Sequence, residues 1–371
     1  MQEINSDPRT KVEISENAIE NNFKEFKEKI EKNTLFGVVV KSNAYGHGIV
    51  EISQKLDQLG ADWFIVSGIH EAINLRENGI KKPILILGYT PPRFFKEAKK
   101  LNVRLTAPSK EFVQKLIENG PSNIKVHLKI NTGMNRRGIK PNQTSKIVKS
   151  LLESKVTLEG FYTHLAEATT PNHQKTDEQL LKFKKSREKI RNKGVDLIEH
   201  AGATAGSLAY PESELDMVRV GIGLYGLWPS KEIKKKYAKS LNLEPTLEWK
   251  TFLAETKNIK KGEGLGYGFT EKLKRDSQIG IVPIGYWHGY PIQASRKGSV
   301  LIHNKKAKVM GRVSMDSMMI DITDIKNPQP GDEVTLVGPE KVTASNLAEK
   351  ADSINYEIVT SINPAIRRVF K

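Results

Sequence analysis

Residues 37–48 read GVVVKSNAYGHG. With Phe36 in front, the run FGVVV (36–40) is apolar throughout and lacks the polar alternation of a half-exposed strand. It therefore reads as a strand buried on both faces, the kind found in a parallel sheet covered by helices. The run ends on Lys41. A buried ammonium is costly unless something pairs with it or consumes it. A lone lysine in that position ordinarily snorkels to water. Here the strand is apolar, the lysine stands at its C-terminal end, a glycine-containing loop follows, and Tyr45 lies four residues on. Those features favour chemistry. A desolvated lysine has a lowered pKa and can attack an aldehyde. Gly46 and Gly48 let backbone come close to an anion, and Tyr45 offers a hydroxyl.

Similar apolar runs recur down the chain: WFIVSG (63–68), PILILG (83–88), VRLTA (103–107), IKVHLKI (124–130), LEGFYTH (158–164), LIEHAG (197–202) and MVRVG (217–221). Helical signals fall between them. Ile19, Phe23, Phe26 and Ile30 keep a three-four spacing, and EAINLRENG (71–79) stops on a glycine. Eight strands alternating with helices predict an α/β fold with an N-terminal (β/α)8 TIM-type barrel, placed at 1–240. From 241 to 371 the segments LEWKTFLAETKNI, SQIGIVPIGYW, SVLIHNKKAKVMGRVSMDSMMIDITD and DEVTLVG are β-rich and punctuated by turns. A C-terminal mainly-β domain without helices is expected there, apart from a short helix at 343–351. Residues 1–12 are expected to pair with it.

The 38% apolar and 27% charged composition excludes wholesale disorder. No apolar run approaches the roughly 18 residues that cross a bilayer. The absence of cysteine excludes disulfides, zinc–thiolate sites and a thiol nucleophile. MQEINSDPRTKVEIS has no apolar signal core, so a cytoplasmic location is expected. The net charge of +16 raises the question of nucleic acid. Acids are mixed among the lysines even in KFKKSREKIRNK, and the densest run, KEIKKKYAK (231–239), reads as a solvated helix face. No nucleic-acid signature accompanies it.

Polar residues at barrel-strand C-termini face the expected active site. They are Lys41, Lys129 with the following NTGMNRRG, His164, His200 and Arg219. At this point VVKSNAYGHG resembles the cofactor-lysine motif of alanine racemases, fold-type III enzymes that use pyridoxal 5′-phosphate (PLP). LKINTGMNRRG, GFYTHLA, DMVRVGIGLYGLWPS, GYG (266–268), PIGYWHGY, GRVSMD and INYEI continue the resemblance in order over essentially the whole chain.

The resemblance implies interconversion of L- and D-alanine for peptidoglycan by a homodimer with shared sites. It implies that Lys41 holds PLP and serves as one base, with Tyr267 as the other, supported by His164 or His200. His164 also matches the residue that packs on the cofactor ring. Arg219 would donate to the pyridine nitrogen, where decarboxylases of the same fold class are expected to place a carboxylate. Tyr45, Thr204, the Gly221 and Ile222 amides and Tyr356 would hold the phosphate. Arg136 and the Met315 amide would take the substrate carboxylate. Lys129 matches a lysine that is often N-carboxylated, and would orient Arg136. Tyr286 keeps the family tyrosine near the substrate entrance. Tyr267, Met315 and Asp316 would act in the partner's site.

Several positions depart from the pattern. Trp287 and His288 stand where a small residue and an aspartate are usual, a ring and a possible cation at the entrance. Ala203 replaces an asparagine, His70 and Asn131 replace aspartates, and Ser314 a frequent cysteine. They open the alternative of broader or shifted specificity, for serine or lysine. A fold-type III decarboxylase is disfavoured by Arg219. A PLP-homeostasis protein is disfavoured by the C-terminal domain.

Overall fold

The computed structural model describes residues 7–192 and 194–371. The chain divides into two compact units, residues 20–44 with 49–243, and residues 1–19 with 45–48 and 244–371.

The first unit is the barrel. Strand β1 (Thr10–Ile14) precedes it and belongs to the other unit. The barrel strands are β2 (Leu35–Val39), β3 (Trp63–Val66), β4 (Ile84–Ile86), β5 (Arg104–Ala107), β6 (Lys125–Lys129), β7 (Thr157–Tyr162), β8 (Ile198–His200) and β9 (Met217–Val220). They form one parallel sheet in the order β8-β7-β6-β5-β4-β3-β2-β9. The ends meet through an Ala203–Arg219 bridge, with Arg219 N donating to Gly202 O at 3.0 Å. The barrel is thus nearly closed, and each apolar run read from the sequence contributes one strand.

Helices cover the sheet, and their limits follow local chemistry. Ser109 caps the helix Lys110–Asn119 by accepting from Phe112 N at 3.2 Å, and Phe112, Val113 and Leu116 form its buried face. The helix Glu16–Lys27 buries Ile19, Phe23 and Phe26. Phe23 packs edge-on against Phe36 at 4.9 Å. The basic run folds as the helix Lys231–Tyr237, in which only Ile233 is buried, so its lysines form the solvated face expected. Among the described residues no helix is long and apolar enough to cross a membrane.

The second unit is built on a nine-stranded sheet. Strand β10 (Leu247–Phe252) alternates buried and half-buried residues and pairs antiparallel with β1. β1 also pairs in parallel with Arg367–Phe370. This pairing carries the N-terminal residues into the β unit rather than the barrel. Two helices interrupt the sheet: Ala344–Lys350, as foreseen, and Asn355–Ser361, which was not. INYEIVT is rich in β-branched residues, and seven residues are too short for a helical period to be legible.

Glu13 on β1 joins the sheet electrostatically. Burial opposes its ionisation, but Lys11, Lys371 and Lys250 outweigh burial and pull its pKa from 4.5 to about 2. A depressed carboxylate stabilises the fold above its unfolded pKa and loses that contribution as pH falls through the folded one. Glu13→Gln is therefore expected to lower the urea-unfolding stability by about 2–3 kcal/mol at pH 7. The gap from wild type should close as pH drops from 4.5 toward 2.

Candidate active site

Lys41 stands two residues past β2 and opens a turn of unusual hand. Ser42, Asn43, Ala44 and Tyr45 have φ of 55°, 55°, 51° and 53°. Left-handed backbone costs a non-glycine residue roughly 1–2 kcal/mol. Local hydrogen bonds offset this. Ser42 N donates to Glu71 Oε1 at 2.5 Å, Ala44 N to Val40 O at 2.9 Å, and Ile49 N to Asn43 Oδ1 at 2.9 Å. Glu71 also accepts from Ser67 N and Gly68 N, which ties the Lys41 turn to the loop after β3. Strain of this kind concentrates at functional sites.

The Lys41 amine pairs with no carboxylate among the described residues. Burial, then the Arg136 charge, lowers its pKa against a smaller opposing pull from Glu71. Lys129 ends β6, is 6% exposed, and lies over the Tyr162 ring at 5.6 Å. Burial first, then Arg136 and Arg219, push it down to about 8. It too has no acidic partner among the described residues.

Arg219, on β9, is 2% exposed. Its Nη1 donates to His200 Nδ1 at 2.7 Å, and its Nη2 to Thr163 O and Ala201 O at 2.9 Å each. Nη2 also approaches His164 Nδ1 at 3.4 Å. Burial lowers its pKa to about 10, which leaves it cationic at neutral pH. His164 is pushed down to about 3 by burial and then by Arg219, so its ring is neutral. His200 is fully buried and bonds Arg219 and His127 with its two nitrogens. Both nitrogens are committed inside the barrel, so of the two histidines considered as support for Tyr267 only His164 retains that option.

Thr204 opens the helix Thr204–Ala209 after β8, and its hydroxyl accepts from Gly221 N at 2.9 Å. That bond commits the Gly221 amide to the protein. Ile222 starts the turn that follows β9. Arg136 is exposed on the 131–138 loop, which Asn131 organises by accepting from Gly133 N and Asn135 N. Asparagine thus supplies the oxygen that an aspartate would there. A cleft of about 480 Å³ adjoins this loop, lined by Tyr89, Ser109, Arg136 and Arg137 among others.

Residues that sequence reasoning missed hold the mouth in shape. Gln179 is 4% exposed and donates to Thr132 Oγ1 and His164 O while accepting from Ala166 N. Tyr162 lies flat on His200, with centroids 4.6 Å apart. Lys125, His127 and Lys129 alternate along β6, and that period of two was the available signal for an inward polar face.

The second unit carries the other candidates. Tyr45 and Tyr356 face each other at 6.1 Å, and burial raises both phenols, which keeps them as O–H donors. Tyr267 is 70% exposed on a short turn between Gly266 and Gly268, whose φ are 66° and 69°. A cavity of about 460 Å³ beside it is lined by Phe269, Ser314 and Met318 among others. Tyr286 N and Trp287 N donate to Ser314 O and Met315 O at 3.0 Å, so the two motif segments are joined. Asp316 is exposed. His288 does not reach the surface. Its ring is buried, accepts from Gly285 N, and meets Asp7 at 3.0 Å. Trp287 alone of that pair, 64% exposed, is left to alter a surface.

Comparison with known proteins converges on one group. The family described as alanine racemase, N-terminal domain, matches residues 14–229, and its C-terminal domain matches 246–370. The chain belongs to the alanine racemase family. It is 36% identical to the alanine racemase of Halothermothrix orenii over 98% of this chain and 97% of that one. The solved alanine racemase of Clostridium difficile 630 superposes with a TM-score of 0.92 at 34% identity, covering 98% and 96%. A Bacillus anthracis alanine racemase with bound L-Ala-P gives 0.91 at 35%, covering 98% and 95%.

The family is PLP-dependent. The residues of this chain fit that group. Arg219 is a buried cation without a carboxylate, and three of its five N–H donors are all that the protein bonds at 2.9 Å or less. Lys41 is a desolvated amine on the same unit.

Proposed function

We propose that this chain interconverts L- and D-alanine with PLP, in the cytoplasm, supplying D-alanine for peptidoglycan. The observation that carries the reading is Arg219, a buried guanidinium at the barrel mouth where a decarboxylating relative is expected to present an acid.

Bound, the cofactor supplies an electron sink that lets the substrate Cα release its proton. Lys41 would hold the cofactor and, as a neutral amine, would take or return the Cα proton on one face. Its lowered pKa favours the neutral amine that this requires. Tyr267 serves the other face, with His164 beside Arg219 as its support. Arg219, which remains charged, would donate to the pyridine nitrogen and so discourage protonation there. Tyr45, Thr204, the Ile222 amide and Tyr356 hold the phosphate. The Gly221 amide contributes by fixing Thr204. Arg136 and the Met315 amide orient the substrate carboxylate, with Asp316 and Tyr286 lining the approach.

Purified protein is expected to racemise L-alanine, read by coupled D-amino acid oxidation. Release of carbon dioxide, or cofactor binding without racemisation, would sink the proposal. Trp287 is exposed beside the Met315 backbone, which favours a second reading of broader or shifted specificity. A panel of alanine, serine, lysine and arginine separates the two.

The proposed assembly is a homodimer in which Tyr267, Met315 and Asp316 serve the partner's site. Mixing Lys41→Ala with Tyr267→Phe tests this. Random pairing leaves one intact site per mixed dimer, restoring about one quarter of wild-type activity, whereas action in cis restores none.

Lys129 is proposed to be N-carboxylated, which would place an anion among Lys41, Arg136 and Arg219. Protein supplied with 13C-bicarbonate should show a carbamate resonance that Lys129→Ala removes. Its absence from wild type would leave Lys129 a bare amine.

A further inference from the structure

Two buried histidines and one carboxylate inside the barrel have no place in the reaction just described. They stand in line behind Arg219. Arg219 Nη1 lies 2.7 Å from His200 Nδ1, His200 Nε2 lies 2.8 Å from His127 Nδ1, and His127 Nε2 lies 3.5 Å from Glu159 Oε2. Glu159 in turn is gripped by Arg104 through two bonds of 2.7 and 3.0 Å and by Lys125 at 2.7 Å.

Proton positions along this line follow by elimination. A guanidinium only donates, so His200 Nδ1 accepts. His200 Nε2 then carries the ring proton and donates to His127 Nδ1. The proton of His127 is left on Nε2, facing the carboxylate. The last approach is long for a hydrogen bond, yet no other acceptor reaches that buried nitrogen among the described residues. Burial lowers both rings, and at His127 it outweighs the opposing pull of Glu159, so both are neutral. Glu159 is ionised. Burial opposes this, but His127, Arg104 and Lys125 hold its pKa well below the carboxylate range.

The rings have little freedom to turn. Tyr162 covers His200 at an interplanar angle of 6°, and Trp63 meets His127 edge-on at 5.3 Å. Gly160 makes the room, since a Cβ there would stand 2.7 Å from His127 Cε1.

We propose that Glu159 and His127 are positioning residues for Arg219, forming with His200 a one-directional hydrogen-bonded chain that fixes His200 as the acceptor for the buried guanidinium. A carboxylate in direct contact would compete for the Arg219 donors that face the mouth. A relay through two rings fixes His200 as an acceptor while leaving those donors free. Neighbouring hydrogen bonds in such a chain polarise one another. The consequence for the cofactor rests on the function proposed above, whereas the chain itself does not.

Neutron diffraction from deuterated wild-type protein reads the chain directly. Deuterium is expected on Nε2 of both His127 and His200, and on neither Nδ1. Deuterium on Nδ1 of either ring overturns the proposal, whether or not the protein racemises alanine. In the holoenzyme, Glu159→Gln should lower kcat by roughly tenfold, as loss of a residue supporting a ligand does. KM should change little, the cofactor absorbance should titrate with pH differently from wild type, and Glu159→Asp should restore part of both. An unaltered pH titration and kcat in a folded Glu159→Gln protein would also overturn it. Should Glu159→Gln not fold, the wild-type deuterium positions decide.

Discussion

Lys41→Ala should abolish the visible absorbance of lysine-linked cofactor and lower racemisation by about 10³-fold or more, the range that a lost general base and nucleophile span. The expectation comes from two properties that coincide at one residue. Lys41 stands two residues past a strand with no exposed residue, and its amine has no acidic partner among the described residues. An ultraviolet–visible spectrum of the purified variant checks the first effect, and the coupled oxidase assay the second. Persistence of the band would remove Lys41 as the anchor. The variant should fold as wild type, because the left-handed turn after Lys41 is held by Ser42, Asn43 and Ala44 backbone and side-chain bonds, not by the amine.

Tyr267→Phe should produce an asymmetric defect. Exchange of the Cα hydrogen of L-alanine with solvent deuterium should fall by about 10²-fold or more, while that of D-alanine falls far less. Each base serves one face of Cα, so losing one phenolic proton carrier leaves the other face to Lys41. Proton NMR of each enantiomer incubated in D2O measures both rates. Equal, small losses would dismiss Tyr267 as a face-specific base. Tyr267 is 70% exposed, so the variant is expected to fold as wild type.

Much of this was legible in the chain. A strand buried on both faces must be apolar along its length, so the barrel strands stand out as short continuous runs, and their spacing leaves room for helices alone. Lys41, Lys129, His164, His200 and Arg219 were visible because polar residues are costly at the ends of such runs. Asn355–Ser361 was not legible, because a seven-residue helix of β-branched residues carries no period. Nor was the inward turn of His288. Whether a side chain meets Asp7 from 281 residues away depends on sheet pairing, not on its neighbours in sequence.

By itself, then, the sequence determined the element order, the strand ends where chemistry gathers, and the residue types available there. Those follow from local burial and periodicity. Only the tertiary structure decided how the buried polar groups are partnered. Among the described residues it left Lys41 and Lys129 without acids, committed both His200 nitrogens to Arg219 and His127, and aligned Glu159, His127, His200 and Arg219. Hydrogen-bond direction is set by distances between side chains on different strands, and those distances are not legible in the residues of any one strand.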